Sequence, residues 1–230
     1  MAFALTFSVS HLTSCSAPIA LGEAPTIRIG VVASLSEAVA EIGKSTIDGA
    51  QLAVQEINNV GGVEVGGRQH QMELVIEDDQ DKPEVAVSVV QKLINQEAVV
   101  AIVGPQLSRN AIPAADVAEQ ARIPLISPVS TNPETTANKR YVFRTTFVDP
   151  FQGQVMARFA FRNLGAQKAA VLYDVASAYN RGIAEVFKQA FEENGGQVVA
   201  FESYTTGQQQ LSAQFDRIRA SRSDVLFCPI

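Results

Sequence analysis

Two short segments carry the groups best suited to grip a small polar molecule. The first is Gly104-Pro105-Gln106-Leu107-Ser108-Arg109-Asn110, placed between a short apolar run and a helical pattern. Ser108 falls at the start of that helix. There a hydroxyl and the first free N–H groups can hold a carboxylate with help from the helix dipole. The plainer alternative is that Ser108 only caps the helix. The second segment is Ser127-Pro128-Val129-Ser130-Thr131-Asn132-Pro133. Its two prolines fix an extended loop whose backbone can present carbonyl oxygens and N–H groups, and the alternative is a rigid surface turn. Asp78-Asp79 could bind a metal ion, but carboxylates at a strand end more often cap a helix or brace a loop. The two histidines, His11 and His70, share no metal-ligand spacing with each other or with a cysteine.

The elements needed to place these segments alternate between strand and helix. Ile27–Val32 reads as a buried strand. A helix from about Gly43 to Asn59 puts Ile47, Ala50, Val54 and Ile57 on one face and ends at Gly61-Gly62. Met72–Ile76 is a second strand. Asp81-Lys82-Pro83-Glu84 reads as a helix start, with Asp81 as the cap and Pro83 in the first turn, leading to a helix reaching about Gln96. Strands follow at Val99–Val103, Pro124–Ile126 and Tyr141–Arg144, with a helix ending near Ala121 between the first two. The pattern then restarts with a helix at Phe151–Asn163, a strand at Ala169–Tyr173, a helix at Ala178–Asn194 and a strand at Gln197–Ser203. A helix carrying Leu211, Phe215 and Ile218 on one face and a strand at Asp224–Cys228 complete it. Strands joined through helices require right-handed crossovers and a parallel sheet. Two runs meeting near Thr145–Pro150 indicate two lobes, and a last strand with no covering helix after it reads as an unfinished second lobe.

Composition narrows the function. The chain has 230 residues, 47% of them hydrophobic and 18% charged, with a net charge of −6, so it supports real cores and lacks the basic face that nucleic acid requires. No glycine-rich dinucleotide or phosphate-loop motif follows a strand, and Ser108 lacks the glycines of a nucleophile elbow. With only two histidines, one of them inside the targeting segment, a Ser-His-Asp triad is not expected. The residues therefore point to a binder without a catalytic group, metal or cofactor; an enzyme working through lysine, tyrosine or carboxylates stays as the alternative.

The first residues read as a targeting segment. Ala2–Val9 is an apolar run too short to span a bilayer, and Leu12-Thr13-Ser14-Cys15 looks like a bacterial lipobox, in which Cys15 becomes the lipidated first residue. No Lys or Arg precedes the run, and a plain secretory signal is the alternative. Ser16–Pro25 would be a tether. A disulfide between Cys15 and Cys228 is conceivable, but the lipobox explains Cys15 better.

Several of these segments together resemble a family. Ile29-Gly30 with Leu35-Ser36, Asp48-Gly49-Ala50, Ile57-Asn58, Gly61-Gly62 and Glu77-Asp78-Asp79 stand in its order and spacing. Val103-Gly104-Pro105, Pro124-Leu125-Ile126-Ser127-Pro128, Phe143-Arg144-Thr145 and Tyr173-Asp174 do so too. The set is similar to the substrate-binding proteins of branched-chain amino acid ABC transporters, from Thr26 to Ile230. That resemblance implies a two-lobed α/β type I periplasmic-binding fold with parallel doubly wound sheets and an incomplete second lobe. The division would be 1–25 for signal, lipobox and tether, 26–144 for lobe one, and 145–230 for the crossover and lobe two. It implies extracytoplasmic capture of an amino acid, delivery to an ABC permease, a membrane link through the lipid anchor alone, and no nucleic-acid partner. Carried over by motif, Ser108 binds the ligand carboxylate, Val129 offers its carbonyl to the ammonium, and Ser130 and Thr131 complete the grip. Tyr179 reaches the ligand from the second lobe, and Ile42 stands at the side-chain pocket where leucine-binding members carry a tyrosine. The same fold also serves sensory ligand-binding domains of receptors and regulators.

Overall fold

The structure, a computed structural model, describes residues 26–36 and 39–229. The apolar run, the lipobox, Cys15 and the tether lie outside the described residues.

Strand β1 (Ile27–Ala33) is apolar along most of its length, and Val31, Val32 and Ala33 are fully buried. A strand so lacking in a polar face must be covered on both sides. It is the second strand of a five-stranded parallel sheet ordered β4-β1-β5-β6-β7, with β4 Met72–Asp78, β5 Ala101–Val103, β6 Leu125–Ser127 and β7 Val142–Arg144. Between these run α1 (Ala40–Asn59), α2 (Pro83–Asn95) and α3 (Ser108–Ala121). Right-handed crossovers send α1 to one face of the sheet and α2 and α3 to the other. The core on the α2–α3 side consists of Val32, Ala86, Val90, Leu93, Ile102, Ala114, Ala115, Ala118, Leu125 and Val142 with their neighbours.

The strand order reverses at β1, which pairs with β4 on one edge and β5 on the other. Ligands of open α/β sheets sit beyond the strand ends at such a switch point. The loop leaving β5 must turn sharply there. Gly104 has φ +96°, and a Cβ on it would stand 2.0 Å from the Val32 carbonyl oxygen, so only glycine lets β5 exit against β1.

The second sheet has three parallel strands ordered β10-β8-β9, with β8 Lys168–Asp174, β9 Gln197–Tyr204 and β10 Val225–Phe227. Helix α4 (Asp149–Arg158), continued by a π turn at Phe159–Asn163, packs on α5 (Ala178–Glu193), and α6 (Ser212–Ala220) packs on β9. Small alanines and stacked aromatics fill the core: Ala157, Ala169, Ala184 and Ala190 surround Phe187 and Phe191, and the Phe187 and Phe227 rings stack at 4.1 Å between centroids.

Most expected elements stand within a few residues of their places, and four details differ. Residues 63–70 form a hairpin of β2 (Val63–Val65) and β3 (Arg68–His70) around Gly66-Gly67. Two glycines with positive φ between alternating residues are the ordinary signal for a two-residue hairpin turn, and the expectation passed over it. Helix α1 begins at Ala40, three residues before Gly43. Asp81 does not cap α2: the cap position is Lys82 without a side-chain bond, and the Asp81 carboxylate instead pairs with Arg109. On α6 Ile218 is buried but Phe215 is 44% exposed, and Gln214 takes the inward place. Helix α1 ends as expected, with Gly61 at φ +106° directly after the cap residue.

Candidate functional site

The loops that leave β1, β5 and β6 meet the N-terminal turns of α4 and α5 around one cleft of about 490 Å³. That volume suits a small solute. Ile42, Ser108, Val129, Ser130, Thr131 and Tyr179 all line it, so the structure brings the six residues expected to touch a ligand into one place, while Asp78 and Asp79 lie outside its lining. Val39, Gln106, Leu107, Arg109, Pro128, Thr146, Phe147, Gln152, Asp174, Ser177 and Asn180 complete the wall.

Ser108 is the first residue of α3, whose cap position is Leu107. Its hydroxyl does not cap the helix. It lies 2.9 Å from the Ser130 hydroxyl, which lies 2.7 Å from that of Thr135, in the single turn of 3-10 helix at Pro133–Thr135. All three side chains are buried. Behind them the Ser127 hydroxyl donates to the Pro105 carbonyl at 2.6 Å and accepts the Ser130 N–H at 3.3 Å. The β5 and β6 loops are thus tied by hydroxyls, with the α3 N-terminus facing the cleft as an anion-attracting end.

The β6 loop is held from its other side by Arg144 at the end of β7. Its guanidinium donates to the carbonyls of Ser130 (3.2 Å), Asn132 (2.8 Å) and Pro133 (3.0 Å) and to the Thr136 hydroxyl (2.6 Å). Five donors in a planar fork suit this task better than a lysine could. Sequence reading quoted Arg144 within a motif but gave it no role.

The acidic pair after β4 is structural. Asp79 accepts from the Ser34 hydroxyl (2.6 Å), the Asp81 N–H (2.9 Å) and the Asn110 amide (3.0 Å). Asp78 accepts from the N–H groups of Leu35 (3.0 Å) and Gln80 (2.7 Å) and from the Ser36 hydroxyl (2.9 Å). Burial pushes the Asp78 carboxyl up, but those three donors together hold it below the usual carboxylate value. The pair braces the β1 and β4 loops at the switch point. Among the described residues no cluster of His, Cys, Asp or Glu has the arrangement of a metal site.

Two links join the sheets beside the cleft. The Thr131 carbonyl accepts the Asp149 N–H at 2.9 Å, and the Asn132 amide donates to the Ala178 carbonyl at 3.1 Å, immediately before Tyr179. Asn132, the residue after Thr131, is therefore coupled to the residue before Tyr179. Ser177 caps α5 by accepting the Asn180 N–H at 3.2 Å, which aims the first turn of that helix at the cleft. The Tyr179 hydroxyl accepts from Gln152 at 3.1 Å, and burial raises its pKa, so it stays protonated and free to donate.

Asp149, at the start of α4, is 1% exposed, and neither carboxylate oxygen meets hydrogen-bond geometry. Burial pushes its pKa up, and the nearby Thr131 hydroxyl and Arg144 charge pull the other way without prevailing. Two other buried side chains carry an orphan: the Gln106 carbonyl oxygen accepts the Ser34 N–H at 3.3 Å while its amide nitrogen has no partner, and the Asn110 amide oxygen has none. Asp149, Gln106, Thr135 and Asn132 escaped assignment from sequence. Gln106 and Asn132 at least stood in the two loops singled out, whereas Asp149 and Thr135 gave no local signal.

Two parallel α/β units flanking a cleft of hydroxyls and main-chain groups are the architecture of a two-lobed binding protein. The sequence model of the family described as periplasmic binding protein matches residues 26–229, and the chain belongs to that family. A Leu/Ile/Val-binding protein homolog from Brucella melitensis is 31% identical over 202 residues, 87% of this chain and 53% of the relative. A branched-chain amino acid transporter substrate binding protein from Streptococcus pneumoniae, solved in complex with isoleucine, is 35% identical with a TM-score of 0.79, over 89% of this chain and 57% of that one. A leucine binding protein from Thermotoga maritima is 30% identical with a TM-score of 0.80, over 88% and 56% of the two chains. The fold is the expected α/β type with parallel sheets, and the relatives are binding proteins by name. The chain spans about half the length of the curated relatives it matches. No helix among the described residues is long and apolar enough to cross a membrane.

Proposed function

We propose that this chain captures an amino acid, or a closely related small carboxylate-bearing solute, outside the cytoplasmic membrane for delivery to an ABC importer. The observation that carries the reading is the convergence of Ser108, Val129, Ser130, Thr131, Tyr179 and Ile42, distant in sequence, on one cleft at the switch point of the sheet. In this reading Ser108 and the α3 N-terminus receive the carboxylate, the Val129 carbonyl and Thr131 take the ammonium, and Ile42 with Phe147 meets the side chain. Residues 26–144 form one lobe and 145–230 the crossover and part of the other. Tyr179 is the contact made as the second lobe closes, and closure presents the loaded form to a permease. Cys15 holds the protein to the membrane through lipid, with no nucleic-acid contact and no cofactor. The Streptococcus pneumoniae structure, named as a transporter's substrate binding protein, favours this reading over a sensory domain.

A thermal-shift screen of the free amino acids tests it. At least one apolar amino acid is expected to raise Tm by several degrees at millimolar concentration, as binding to the native state alone requires. Ser108→Ala and Thr131→Ala should abolish most of that shift. A flat response across amino acids, or identical shifts in both variants, contradicts the assignment.

A further inference from the structure

Resting on the reading of Ser108 as the carboxylate contact, we propose that Thr135 is a positioning residue, fixing Ser108 as a hydrogen-bond donor to the cleft through Ser130. The argument is one of proton direction. Three hydroxyls stand in a row, Ser108, Ser130 and Thr135, at 2.9 and 2.7 Å. Each has one proton to give. Thr135 is 0% exposed, Ser130 2% and Ser108 3%, and of the two ends of the row Ser108 lines the cleft, beside α3, while Thr135 does not.

Three orders can be written for such a row; if Ser108 and Thr135 both donate to Ser130, the proton of Ser130, 2% exposed, has neither neighbour left to accept it, which leaves two. In one, Ser108 donates to Ser130 and Ser130 to Thr135, leaving the Thr135 proton buried with no acceptor in reach. In the other, Thr135 donates to Ser130 and Ser130 to Ser108, and the spare proton emerges at Ser108, where the cleft supplies a partner. Buried donors are almost never left orphaned, so the second order holds. The Ser130 side chain cannot escape the row, because its own N–H is anchored on the Ser127 hydroxyl and its carbonyl on Arg144. Ser108 therefore meets a ligand as a donor, beside the positive end of α3. A carboxylate oxygen is welcome there and an ammonium is not, so the buried end of the row decides which way round a zwitterion lies. Thr135 touches no ligand; it acts through two other side chains.

Calorimetry with L-isoleucine as the probe tests this on the chain and its variants Ser108→Ala, Ser130→Ala, Thr135→Val and Thr135→Ser. Thr135→Val keeps the shape and removes the proton, and Thr135→Ser restores it. We expect Thr135→Val and Ser130→Ala each to weaken binding roughly tenfold and Thr135→Ser to stay within about twofold of the parent. A merely structural role for Thr135 would not be rescued by serine, so equal losses in Thr135→Val and Thr135→Ser overturn the proposal. If Ser108→Ala weakens binding while Thr135→Val does not, the proposal fails and the Ser108 reading stands. If Ser108→Ala binds as the parent does, or the parent itself gives no heat with L-isoleucine, the underlying reading fails and takes the proposal with it. Should Thr135→Val not fold, as its melting curve would show, full affinity in Ser130→Ala alone overturns the proposal.

Discussion

The two walls of the cleft are built differently. The wall on the five-stranded sheet is locked before any ligand arrives. Asp78 and Asp79 tie down the loops after β1 and β4, a row of hydroxyls joins the β5 and β6 loops, and Arg144 spans four acceptors of the β6 loop. The wall on the three-stranded sheet has fewer ties: the capped first turn of α5, a Tyr179–Gln152 hydrogen bond, and Asp174, which accepts the N–H groups of Ala176 (2.9 Å) and Thr206 (3.1 Å) and the Thr206 hydroxyl. Asn132 and the Thr131 carbonyl link the two. Under the proposed function, the difference teaches that polar recognition is preorganised on the first wall, where donors need no rearrangement to meet charge, while the second wall contributes what forms on closing.

The largest effect should follow from loosening the locked wall. Arg144→Met removes a charged donor from three carbonyls and a hydroxyl. It should cost about 3 kcal/mol of stability, read by urea unfolding, and weaken L-isoleucine binding by about a hundredfold. A variant with native stability and affinity would show that the loop holds its shape without the clamp. Ser108→Ala comes next: losing one charge-assisted hydrogen bond should weaken binding by roughly ten- to a hundredfold with Tm changed little, in calorimetry and melting curves together. Tyr179→Phe touches the other wall and should cost only about threefold to tenfold, appearing in the dissociation rate measured by stopped flow. A Tyr179 effect larger than that of Ser108 would reverse the comparison.

The smallest expected effect concerns the seam between the walls. Burial raises the Asp149 pKa above its ordinary carboxylate value. The folded protein therefore holds that proton more tightly than the unfolded chain does. Its stability contribution is present at low pH, declines as pH rises from the unfolded pKa through the raised folded one, and stays lost above it. Asp149→Asn should accordingly raise Tm by about 2–4 °C at pH 7 and by nothing near pH 3. An equal shift at both pH values would assign the effect to packing.

How far the sequence discloses this design differs between the walls in the same way. Val31-Val32 and the helix face of Ile183, Phe187 and Phe191 announce themselves because burial imposes a period that a linear chain displays. Ser108 and Thr131 stand in loops whose glycine and proline punctuation marks a strand end, so their positions could be found. Their shared row with Thr135 could not, because Ser130 and Thr135 meet only once Asn132-Pro133 starts a 3-10 turn, and Thr135 reads locally as an ordinary loop threonine. Asp149 resembles a helix-start acid and is one, yet its burial depends on α5 packing over it, a contact with no local trace. The Asp81 expectation failed for the same reason: a good capping sequence was outcompeted by Arg109, which arrives from a helix 28 residues on.

The central claim is that the locked wall presents donors to a carboxylate. Titrating the chain with L-isoleucine and with 2-methylbutylamine, which keeps the side chain and ammonium but lacks the carboxylate, tests it most directly. The account predicts saturable heat with the amino acid and binding at least a hundredfold weaker with the amine. Equal affinities for the two would contradict it.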